Sequence, residues 1–276
     1  MRRVLPIVGL SLSVLLSACQ AVNTTSGNAV GVERKQYMFS MLSSQQVDQM
    51  YAESYSSSVS KAKSSGKLVN ETANGKRVSA IAKRLITKVT YFRPDAAGWD
   101  WQVNLVKNDE LNANCGPGGK IFVYTGLIEQ LKLSDDELAA VMGHEIAHAL
   151  REHSREKMSR AYALQLGQSL GGALLGLSQS SMQIADKVTE VGLTLPFSRS
   201  NENEADLIGL ELAARAGFNP NAALTLWQKF AQASAKMGNK TPELLSTHPS
   251  DESRMASIQA AVPKVMPLYQ QANRKS

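Results

Sequence analysis

Residues 133–158, LSDDELAAVMGHEIAHALREHSREKM, constrain this chain more than any other stretch. Ser134, followed three residues on by Glu137, forms a capping box, and Asp135 and Asp136 complement the positive end of the helix it opens. Such a helix stacks His144 and His148, four residues apart, on one face. Two imidazoles so placed can grip one Zn²⁺ at about 2.0–2.1 Å per bond. Glu145 lies beside the first ligand, within reach of a metal-held water without being a ligand itself. Any fold the chain adopts has to bury this helix with its polar face intact and bring further ligands to it.

HEIAH is the HExxH pattern of the zincins. The stretch NENEAD at 201–206 offers three carboxylates for the missing ligand. Glu202 and Asp206 are four apart and share a helix face, whereas Glu204 is turned about 200° from Glu202 and is expected at the surface. Glu202 can complete a His₂Glu set, and Asp206 can accept a ligand histidine's second N–H and fix its tautomer. Three protein ligands leave the fourth position to water, the arrangement of a catalytic site. Zinc lowers the pKa of such a water to about 7. Glu145 is placed to take its proton and return it to a leaving amine. His153 lies about 140° off the ligand face and is expected to be a solvated helix residue. A metzincin-type third histidine is excluded, because Arg151 and Ser154 stand where a Gly and a His would be needed.

Around this helix, SQQVDQMYAESYSSSVSKA and GKRVSAIAKRLITKV carry apolar residues at helical spacing. WDWQVNLVKN then alternates and predicts a strand at about 99–107; KIFVYT, after the turn cluster NANCGPGG, predicts a second. The 161–195 segment is Gly-, Ser- and Leu-rich and reads as a helical excursion. NENEADLIGLELAARAG is a helix stopped at Gly217, and PNAALTLWQKFAQASA and DESRMASIQAAV are the last two. The expected class is α+β, mainly helical, with a small antiparallel sheet. The expected organisation is a leader at 1–18, a flexible tether at 19–36, one domain at 37–265 and a C-terminal tail at 266–276.

The leader, MRRVLPIVGLSLSVLLSACQ, has a basic start, an apolar run and a small-residue cleavage site. LSAC is similar to a bacterial lipobox, which makes Cys19 the lipid-modified first mature residue, and Gln20 in place of Asp favours the outer membrane. No other stretch reaches the roughly 18 apolar residues of a spanning helix. Removing the leader leaves 276 − 18 = 258 residues, and its Arg2 and Arg3 reduce the net charge from +6 to +4. The remaining basic residues are scattered without aromatic interleaving, which argues against a nucleic-acid partner. With Cys19 acylated, Cys115 has no disulfide partner, leaving a free thiol that is a candidate redox sensor.

HEIAH, NENEAD some fifty residues later, and STHPSDESR together resemble the HtpX/BepA/CAAX prenyl protease family (peptidase family M forty-eight). NANCGPGGKIFVYTGLI resembles its segment N-A-x-x-x-P-G-G-x-I-x-V-x-x-G-L, through Asn112, Ala113, Pro117, Gly118, Gly119, Ile121, Val123, Gly126 and Leu127. The resemblance covers about 110–255. It implies a gluzincin fold with the sheet beside the active-site helix, and one zinc per chain on His144, His148 and Glu202. It also implies an edge strand, Lys120, Ile121, Phe122, Val123 and Tyr124, that binds extended substrate by β-augmentation. His248 and Arg254 match an H-P-x-x-x-x-R motif near the metal. Either of them stabilises the oxyanion, or His248 fills the open position and holds the enzyme latent. Asn114 and Cys115 depart from the apolar pair expected there. With neither transmembrane helices nor a repeat domain, the chain looks like a compact lipoprotein branch of the family. The expected function is a zinc endopeptidase on the outer membrane, facing the periplasm and acting on unfolded or misassembled envelope proteins. An envelope chaperone with a latent zinc site, and a hydrolase of peptidoglycan peptides, are the alternatives.

Overall fold

The computed structural model describes residues 19–26, 29–174, 197–237, 241–249 and 252–274, with backbone only at Cys19 and over 165–174. The leader and the 175–195 part of the expected excursion lie outside these residues.

The elements in chain order are β1 (Cys19–Val22), β2 (Gln36–Phe39), α1 (Ser44–Ser64), α2 (Ala73–Ile86), β3 (Gln102–Val106), β4 (Ala113–Gly116) and β5 (Lys120–Tyr124). They are followed by α3 (Thr125–Leu131), α4 (Asp135–Leu150), α5 (His153–Leu174), α6 (Arg199–Arg215), α7 (Ala222–Lys236), α8 (Glu243–Thr247) and α9 (Glu252–Arg274). The α4 cap is the expected one: the Ser134 hydroxyl accepts from the Glu137 amide and the Glu137 carboxylate accepts from the Ser134 amide. α2 buries Val78, Ile81 and Leu85 at the expected spacing. Among the described residues no helix is long and apolar enough to cross a membrane.

The α+β class holds, with one correction to the sheet. Its order is β3-β5-β4, with β4 antiparallel to β5 but β3 parallel to it. Alternation fixes which residues are extended, not which way a partner strand runs. Lys120–Tyr124 is therefore the central strand, its backbone paired on both sides, and cannot be the edge. The outer strands are β3 and β4, the latter hidden in the expected turn cluster. The turn between β4 and β5 uses Gly118 and Gly119 at φ of 69° and 80°.

Two boundaries also move. Residues 19–36 are not a loose tether: β1 pairs with β2, and Glu211 on α6 accepts hydrogen bonds from the Ala29 and Val30 amides. Residues 266–274 are not a tail, because α9 continues through Pro263 and Pro267 to Arg274. Ile258, Ala261, Val262 and Val265 pack into the core while both prolines face solvent, so burial carries the helix past two residues that usually end one.

α4 and α6 cross at Gly143 and Gly209. A methyl on Gly143 would stand 2.8 Å from the Gly209 carbonyl oxygen, and one on Gly209 would stand 2.6 Å from the His144 amide nitrogen. Only backbone without side chains allows that approach. It brings the first turns of α6 over HEIAH.

Candidate metal centre

His144, His148, Glu202 and His248 each offer a buried ligand atom, all within 4.8 Å of one another. His144 Nε2 lies 3.1 Å from His148 Nε2 and 3.3 Å from His248 Nδ1; Glu202 Oε1 lies 3.1 Å from His248 Nδ1 and 3.5 Å from His148 Nε2. A tetrahedron with metal–donor bonds of about 2.0–2.1 Å has edges of about 3.3–3.4 Å. Three imidazoles and a carboxylate turned inward at that spacing fit a metal ion far better than a hydrogen-bonded cluster. Among the described residues, the buried Glu145 Oε1 also lacks a hydrogen-bond partner.

His248, reached at the end of the short helix α8, supplies the fourth donor. Its other ring nitrogen, Nε2, is 3.6 Å from Glu145 Oε1.

Glu145 is almost fully buried, and burial pushes its carboxyl upward, partly offset by His248, His144 and the Cys115 amide, which donates to it. β4 thus touches the carboxylate through its backbone. Around the ligands, burial disfavours a charged His144, but Asp206 and Glu202 outweigh it and lift that imidazole to about 9. His148 is driven well down, by burial first and then by the neighbouring His144 and His248. The carboxyl of Glu202 is held far below its usual range; His144 and His248 overcome the desolvation.

Asp206 Oδ1 stands 2.9 Å from His144 Nδ1, a close charge contact rather than a well-aligned hydrogen bond. Arg254 lies beside the candidate metal donors, as expected. It grips Asp206 with two bonds of 2.6 and 2.8 Å, reaches Glu202 Oε2 at 2.8 Å and donates to the Pro249 carbonyl. Its contacts are thus with the carboxylates of Asp206 and Glu202.

Two residues assigned to the surface are buried. The helix carrying HEIAH ends at Arg151, and Glu152, at φ 49°, turns the chain into α5. His153 is therefore not a further step along one helix; it folds back so that its Nδ1 lies 2.9 Å from His148 Nδ1. Glu204 does turn away from the metal, but into a buried network with His153, Arg151 and Arg34. The left-handed residue was invisible in the pattern, and only the density of charges in REHSRE hinted at a buried network. The Cys115 thiol is also enclosed and raised well above its usual range by burial.

Residues 72–262 match the profile of Peptidase family M48. The chain is 38% identical over 187 residues to the mitochondrial metalloendopeptidase OMA1 of Schizosaccharomyces pombe, covering 68% of this chain and 52% of that one. It is 32% identical over 217 residues to the metalloendopeptidase OMA1 of Bos taurus, covering 75% and 40%. It is 29% identical over 218 residues to the beta-barrel assembly-enhancing protease of Escherichia coli K12, covering 76% and 43%. The chain spans about half the length of these relatives or less. It belongs to peptidase family M48.

Proposed function

We propose that this chain is a zinc-dependent endopeptidase, one zinc per chain, anchored in a bacterial envelope through Cys19 at the outer membrane and facing the periplasm. Its substrates in this reading are unfolded or misassembled envelope proteins. The observation that carries it is the juxtaposition of the inward-facing donors His144, His148 and Glu202 with the buried, unpartnered Glu145 oxygen.

His144, His148 and Glu202 would hold the ion, with Asp206 behind His144 to orient it. Zinc, when bound, acidifies a water and polarises the scissile carbonyl. Glu145, its proton affinity raised by burial, takes the water's proton and later delivers it to the departing amine. An extended substrate pairs with the outer edge of β4, which bonds only β5 among the described residues and donates its Cys115 amide to Glu145. Lipid modification at Cys19 is the reading that the LSAC sequence supports.

His248 favours a latent resting state. As a fourth donor it would take the position that water needs, so in this reading the site works only with His248 displaced. The test is metal analysis together with digestion of an unfolded protein such as casein, with and without chelator. A protein that holds stoichiometric zinc yet leaves casein and envelope substrates intact, with His248 present or replaced, overturns the proposal.

A further inference from the structure

Among the described residues, the outer nitrogen of His148, Nδ1, meets no carboxylate but another imidazole. Given a metal on His148 Nε2, the reading on which this inference rests, a neutral ring carries its proton on Nδ1. That proton points at His153 Nδ1, 2.9 Å away, which must then accept. The His153 proton is thereby forced onto Nε2, 3.1 Å from Glu204 Oε2, which accepts it. Every tautomer in the row is determined, and every donor finds an acceptor.

The row continues outward. Arg151 donates to Glu204 Oε2 from Nε at 2.9 Å and has a second nitrogen 2.8 Å away. Arg34 pairs with Glu204 through Nε and with Glu156 through two bonds of 2.7 and 2.9 Å. Arg151 in turn bonds Asn23, Thr25 and the Arg34 carbonyl. All of His153, Glu204, Glu156 and Arg151 are buried. His144 and His148 are therefore served in parallel: Asp206, clamped by Arg254, backs the first directly, and Glu204, clamped by Arg151 and Arg34, backs the second through His153.

We infer that His153 and Glu204 are positioning residues for the metal ligand His148, and that Arg34 makes the segment downstream of Cys19 part of the metal centre. An anchoring segment that ends in an ion pair two contacts from a ligand links docking of the N-terminus to metal retention.

The test is zinc affinity, measured on the full chain by competition with a chromophoric chelator, beside thermal unfolding of the metal-free protein. Outer partners of metal ligands contribute about 10–100-fold to affinity. His153→Leu, which removes the acceptor, is expected to weaken zinc by about that factor. His153→Asn, whose amide oxygen can stand in for Nδ1, is expected to retain most of the affinity. Arg34→Ala is expected to weaken zinc, whereas Glu211→Ala, which frees the Ala29 and Val30 amides of the same segment without touching the row, is not. Wild-type affinity in His153→Leu, or equal loss in the Leu and Asn variants, overturns the role of His153. Equal loss in Arg34→Ala and Glu211→Ala overturns the link through Arg34. If His153→Leu does not fold, the Asn and Arg34 variants decide. A wild-type chain that binds no zinc removes the zinc reading and this inference together; zinc bound normally by wild type and His153→Leu alike removes this inference alone.

Discussion

Gly209 lies against the backbone of His144, so close that a methyl group on it would be 2.6 Å from the His144 amide nitrogen. The separation of the two donor-bearing helices is thus set by the absence of a side chain at a position that packs against the backbone of His144. Gly209→Ala is expected to destabilise the fold by about 1–3 kcal/mol, as overpacking does, and to weaken metal binding because α6 carries Glu202. Urea unfolding and zinc titration read the two effects separately; an unchanged midpoint would show that the helices have slack.

Glu145 is not among the four candidate metal donors, so its removal should spare the ion. Glu145→Gln is expected to keep stoichiometric metal and to lose casein digestion by about 10²–10⁴-fold, the usual range for a general acid–base group. Retained turnover at the wild-type rate would assign the proton transfer elsewhere.

His248 offers the fourth donor atom of the cluster. His248→Ala is expected to bind zinc somewhat more weakly but to digest casein faster from the first minute, since the fourth position is freed for water. Slower digestion with unchanged metal content would instead make His248 a participant in the reaction.

Acid should loosen the N-terminal segment. Burial opposes ionisation of Glu156, but Arg34, Gln36 and Arg160 overcome it and hold its carboxyl at about 2, against 4.5 for an ordinary glutamate. A folded-state value below the unfolded one means the stabilisation is complete above about pH 4.5 and is lost as pH falls towards about 2. Urea midpoints measured down this range are expected to fall more steeply in wild type than in Glu156→Gln; parallel curves would remove Glu156 from the acid response.

Cys115 is expected to be inert. Its thiol is buried and its ionisation suppressed by burial and by Glu145, and reactivity follows the thiolate. Labelling with iodoacetamide at neutral pH should proceed only after unfolding, against the redox-sensing role its lack of a partner suggested. Stoichiometric labelling of the native protein would restore that role.

The capping box, the pair His144 and His148, and the shared face of Glu202 and Asp206 were all legible in the sequence, because each depends on spacing within one helix and a helix's period is fixed. The apolar face of α2 was legible for the same reason. What the pattern could not carry were relations across elements. The direction of β3 against β5, and so which strand is the edge, depends on a connection that alternation does not encode. The burial of His153 turns on one left-handed residue, Glu152, that breaks the extrapolated helix. Glu204 was correctly placed off the metal face, yet it lies buried because Arg34, 170 positions away, meets it there. Local periodicity is a property of the backbone and survives in any context. Charge pairing and strand order are properties of the packed chain, where desolvation makes distant residues find each other.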